Sequence, residues 1–197
     1  MPDSEQNDRM YIENSNVKDW IQIGGFLIAA QLTIIALIWQ RAPDYGIYTV
    51  TLLLMLSFAF LVNSVFSNSK ANFLVKLIQN KDETEKNKAK YTERFKRVEK
   101  FGYLTFNIAY SCSIFGFTLL AYEYMLYFIG EVLIVVLLPI IFIIVIWCLL
   151  IVYTIAKSPG RVMKELFEPH KILGVLIELG CLILIVFDFF NAAFVIP

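Results

Sequence analysis

Four stretches of the chain run without a charged side chain for the length of a membrane span: residues 20–39, 45–69, 101–122 and 132–156. A fifth, residues 172–197, is as long and as apolar but holds Glu178 and Asp188. A helix needs about 20 apolar residues to cross a hydrocarbon core about 30 Å thick. The pattern therefore predicts five transmembrane helices in an all-α, polytopic membrane fold. A membrane β-barrel needs strands of about 10 residues that alternate in polarity, and these unbroken runs do not alternate.

The punctuation between the runs agrees. Ala42-Pro43-Asp44-Tyr45-Gly46 reads as a short turn, with Pro and Gly as breakers. Residues 123–131 read as a second turn, with Tyr122, Tyr124, Tyr127 and Phe128 suited to the headgroup level. Ser158-Pro159-Gly160 ends the fourth helix. Residues 157–171 then hold a short amphipathic piece closed by Pro169. Pro139 inside the fourth run is read as a tolerated kink.

Between the second and third spans, residues 67–100 contain neither Gly nor Pro. A structureless loop of that length is uncommon, so the two helices are predicted to run on as an antiparallel hairpin. Asn80-Lys81-Asp82 is the break, and Asp82 with Glu85 makes a capping box for the returning arm. Tyr91, Phe95 and Val98 form its apolar stripe, and Glu93 with Arg97 a favourable i,i+4 pair.

Charge sets the orientation. Ten basic residues lie in the 67–100 hairpin and four more between the fourth and fifth spans, at Lys157, Arg161, Lys164 and Lys171. The loops on the other side hold only Arg41. Lys and Arg collect on the cytoplasmic side, which predicts a cytoplasmic N-terminus and an external C-terminus in a plasma or inner cell membrane. Residues 1–19 form an acidic cytoplasmic tail. They lack the basic start of a cleaved signal, so the first span is expected to stay as an anchor. The domain reading is thus 1–19 tail, 20–66 first transmembrane hairpin, 67–100 basic hairpin and 101–197 three-helix segment.

Composition excludes several function classes. The chain has 197 residues, of which 58% are hydrophobic and 17% charged, against about 45–50% and about 25% in soluble domains. Seventeen basic and seventeen acidic residues balance, so nothing draws the chain as a whole toward nucleic acid. The three cysteines, Cys112, Cys148 and Cys181, lie in apolar runs and are expected to be small buried residues. With one histidine, His170, they make no metal site. No phosphate-binding loop, nucleophile elbow or HExxH is present. No enzymatic activity, cofactor or metal is expected.

The candidate chemistry lies at membrane depth, where ionisable groups are costly and often functional. Gly174, Glu178, Cys181, Ile185, Asp188 and Ala192 share one stripe of the fifth helix, predicted to face other helices. Asn191 lies one turn from Asp188, and Asn107, Tyr110 and Ser111 share a face of the third helix. These six polar residues — Glu178, Asp188, Asn191, Asn107, Tyr110 and Ser111 — are candidates for an ion pathway or for interhelical polar contacts. Glu178 lies within reach of Lys171 or Lys157, whereas Asp188 has no cation nearby, so Asp188 is expected to matter more along any path. Small residues at packing spacing, Gly25 with Ala29 and Ala109 with Ser113 and Gly116, are expected at helix contacts.

The leading functional expectation is a small homo-oligomeric channel- or transporter-like subunit that conducts or gates small ions. The alternative is a membrane anchor, scaffold or membrane-perturbing effector. It would recruit a cytoplasmic partner or anionic lipid through Lys86, Lys88, Lys90, Tyr91, Phe95, Lys96 and Arg97.

Overall fold

In the computed structural model, the described residues are 2–40, 46–80, 83–157, 167–190 and 196, with side chains described from residue 18 onward except at 20, 157 and 170. Among them the chain is all-helical. Five helices are α1 Pro2–Gln40, α2 Ile47–Gln79, α3 Glu85–Ile129, α4 Leu133–Lys157 and α5 Pro169–Phe190. Each contains a segment long and apolar enough to cross a membrane. The side chains that α4 exposes are themselves apolar, among them Phe142, Leu149 and Val152. Such a face is costly in water and is not in hydrocarbon.

Three helices are longer than the apolar runs suggested. Helix α1 starts at Pro2, and residues 2–19 of the acidic tail form its first half. No Gly or Pro interrupts residues 3–23, and acidic residues in a first turn favour a helix start. Helix α3 does not stop at Tyr122 but continues to Ile129. The turn predicted over 123–131 shrinks to Gly130-Glu131-Val132, where Gly130 takes φ 83°. Helix α2 ends at Gln79, before the break expected at Asn80. The returning helix starts at Glu85, with the Thr84 carbonyl accepting the Lys88 N–H at 3.0 Å. Thr84 occupies the cap position given to Asp82. Asp82 itself, the turn at 42–45, the amphipathic piece at 158–166 and Asn191 lie outside the described residues.

The chain divides into two compact units. One comprises residues 1–32 and 58–106. Its core is Phe95 against Ala71, Leu74 and Val75, with Tyr91, Val98 and Ile21 packed beside them. Ser64 Oγ donates to the Gly102 carbonyl at 3.0 Å, and a Cβ added at Gly102 would lie 3.3 Å from Ser67 Cβ. Helix α1 packs through Gly24, where an added Cβ would meet Val65 Cγ2 at 2.7 Å. Gly25 and Ala29, expected at that contact, are both exposed. A one-residue error on a helix rotates the contact by about 100°.

The other unit comprises residues 33–57 and 107–197. Leu54, Leu119, Tyr122, Val135, Ile143 and Ile185 lie in its core. The third-helix stripe packs as expected: Ala109 is buried, and Gly116 faces Leu54 at a distance no Cβ fits. Ser57 Oγ donates to the Ala109 carbonyl at 2.6 Å and lies 2.7 Å from Ser113 Oγ. In a medium without water, such bonds satisfy polar groups that otherwise have no partner.

Candidate functional site

Helix α5 turns its polar stripe inward. Gly174, Glu178, Cys181 and Ile185 are all buried. Gly174 is small because Ser111 Oγ lies 2.7 Å from where its Cβ would stand. That close approach brings Ser111 to Glu178, one turn further along α5. Ser111 Oγ donates to Glu178 Oε1 at 3.1 Å, and Trp147 Nε1 of α4 donates to Glu178 Oε2 at 2.5 Å. The carboxyl is thus held by three helices through two neutral donors, with the residue only 5% exposed.

Glu178 lines a cavity of about 290 Å³ bounded by α3, α4 and α5. Asn107, Tyr110 and Ser111 line it from α3, so three of the predicted polar residues converge with Glu178. Trp147, Leu150 and Tyr153 line it from α4, and Lys171 and Val175 from α5. Lys171 does not reach the carboxyl as a hydrogen-bonded partner. Its Nζ lies 3.9 Å from Glu168 Oε2, three residues earlier in sequence.

Asp188 belongs to a different constellation. Tyr122 Oη donates to its Oδ2 at 2.7 Å, and the Ile196 N–H donates to its Oδ1 at 3.1 Å. The Ile196 carbonyl in turn accepts from the Gly46 N–H at 3.0 Å. Asp188 therefore links Ile196, and through it Gly46 at the start of α2, to α3. Nearby, Glu123 is buried against Gly46, where an added Cβ would sit 2.7 Å from its carboxyl. Gly46 takes φ 75° immediately before α2.

Asp188 was expected to matter more along any path because it has no cation nearby. Its partners are a tyrosine hydroxyl and a backbone N–H, both neutral, and it does not line the Glu178 cavity. Asn191, the other residue expected beside it, is outside the described residues.

The basic arm is partly spent internally. Phe95 is 6% exposed in the core with Ala71, Leu74 and Val75, and Tyr91 packs beside it. The apolar stripe offered to a partner thus serves the fold, because a helix that turns back on its neighbour buries its apolar face there first. Lys86, Lys90, Lys96 and Arg97 remain exposed. Lys88 pairs with Glu85 at 3.0 Å, and Arg97 with Glu93 at 2.6 Å. Of the cysteines, Cys112 and Cys181 are buried, but Cys148 is exposed on α4, contrary to expectation.

Two site residues escaped the sequence reading. Trp147 stands alone in a run of aliphatic residues, and a buried indole N–H normally finds an acceptor. That requirement was the available signal, since Glu178 is one of few deep acceptors. Glu123 was placed in a turn and so was not read as a helix residue. No protein-family model matches this chain, and neither a curated protein nor a solved structure shows similarity to it.

Proposed function

We propose that this chain is a channel- or transporter-like membrane subunit that takes up a proton or small cation at Glu178 as it moves or gates small ions. The observation that carries this reading is a buried carboxyl that lines a cavity among membrane-length helices and whose hydrogen-bond partners are both neutral. A lone buried carboxylate is costly unless something compensates its charge. A proton or a cation arriving through the cavity does so. Asp188 is assigned the structural role of joining Tyr122 and Ile196. The chain acts without catalysis of its own, as a homo-oligomer in a cell membrane.

The proposed orientation has the N-terminus and the 67–100 hairpin in the cytoplasm and the C-terminus outside. Sixteen of seventeen basic residues then lie on the inner side. The lengths of α2 and α3, 33 and 45 residues, correspond to roughly 50 and 68 Å of helix. Both exceed a hydrocarbon core of about 30 Å, so each has a portion outside it. Reconstitution in liposomes tests the function: pH-dependent cation or proton flux is expected in the natural chain and is lost in Glu178→Gln.

The exposed Lys86, Lys90, Lys96 and Arg97 favour a second reading, a membrane anchor or effector that recruits a partner through this arm. Replacing these four and Lys88 with Gln is expected to weaken that association and flatten its salt dependence. Unchanged association removes the second reading.

A further inference from the structure

We infer that the Glu178 cavity binds an amphipathic organic cation, with an ammonium head at the carboxyl and a short apolar tail along α4 and α5. The inference rests on the reading of Glu178 as a cation-accepting group and specifies the ligand class. Size is the first argument. A proton or bare ion needs no room beyond the carboxyl itself, whereas about 290 Å³ is available. That is near ten times the roughly 30 Å³ a water occupies in the liquid, and it approaches the lower end of small-molecule sites.

The lining is the second argument. Leu149, Leu150, Ile146 and Val175 give apolar wall and suit a hydrocarbon tail. Trp147, Tyr110 and Tyr153 also line the cavity, and aromatic faces attract alkylammonium groups. Glu178 supplies the charge. A carboxylate has about four lone-pair sites, and Ser111 and Trp147 occupy only two. The other titratable or charged groups lining the cavity are Tyr110, Tyr153 and Lys171. Lys171 would repel a cation, but its ammonium lies 3.9 Å from the Glu168 carboxylate, which offsets its charge.

The test uses the full chain in nanodiscs of zwitterionic lipid, titrated with hexyltrimethylammonium. Calorimetry and tryptophan fluorescence follow binding, with Trp147→Phe identifying the reporting indole. Saturable binding is expected, weakened about tenfold or more in Glu178→Gln by loss of the charge contact. Val175→Trp, which fills the cavity and leaves the acid in place, is expected to weaken it similarly. Nonanol, neutral and equal in carbon count, is not expected to compete. Equal affinity in the natural chain and both variants, or non-saturable uptake, overturns the inference, as does competition by nonanol at equal strength. If Glu178→Gln abolishes flux while hexyltrimethylammonium never binds, this inference falls and the ion-uptake reading stands. Binding without any flux in the natural chain has the opposite consequence.

Discussion

Tyr122 of α3 and Asp188 of α5 are 66 positions apart in sequence and joined by a hydrogen bond of 2.7 Å. The same carboxyl holds the Ile196 N–H, and the Ile196 carbonyl holds Gly46. One acid thereby connects α3, α5, Ile196 and the start of α2. This connectivity separates Asp188 from Glu178, whose partners lie on α3 and α4.

Removing the hydroxyl in Tyr122→Phe leaves Asp188 Oδ2 short of a donor in a partly buried setting. A loss of about 1–3 kcal/mol is expected. The Tyr122→Phe/Asp188→Asn double variant should lose less than the sum of the two single variants, with a coupling of about 0.5–3 kcal/mol. Unfolding titrations in mixed micelles measure both quantities. Additive losses would show that the two residues act independently.

Gly24 and Gly25 are neighbours with opposite surroundings. A Cβ at Gly24 would meet Val65 at 2.7 Å, whereas at Gly25 nothing lies within 4 Å. Gly24→Ala should destabilise by about 1–3 kcal/mol through overpacking. Gly25→Ala should be neutral or stabilise by up to about 1 kcal/mol, because alanine is the better helix former. Thermal unfolding of the two variants ranks them, and the reverse order would place α1 in a different rotation.

Much of this contrast was hidden in the sequence. The number of helices and their centres follow from the length of the apolar runs, which hydrophobic transfer alone dictates. Helix ends do not follow, because charged and aromatic residues such as Glu123 and Tyr127 continue a helix as readily as they leave it until Gly130 breaks it. The inward stripe of α5 was legible from helical spacing, and so was the convergence of Asn107, Tyr110 and Ser111 on one face. Which residue of another helix meets that face was not. Trp147 reaches Glu178, and Gly24 displaces Gly25, through helix rotations that no local pattern encodes.

Orientation is tested with reporters. A fusion at Asn80 or Ser158 is expected to report from the cytoplasm, and one after Pro197 from outside. The basis is the gathering of Lys and Arg, apart from Arg41, in the N-terminal tail and in the second and fourth stretches between the apolar runs. An external signal at Asn80 would invert the assignment of the basic arm and leave it unable to meet a cytoplasmic partner.

The division of labour between the two acids is the central claim, and flux in liposomes loaded with equal amounts of folded protein addresses it most directly. Glu178→Gln keeps the size and most hydrogen bonds of the side chain but cannot carry its charge. It is expected to abolish pH-dependent cation or proton flux while the protein assembles normally. Asp188→Asn is expected to lower the yield of folded protein yet leave flux per folded molecule close to that of the natural chain. Full flux in Glu178→Gln, in a preparation where the natural chain conducts, would contradict the account.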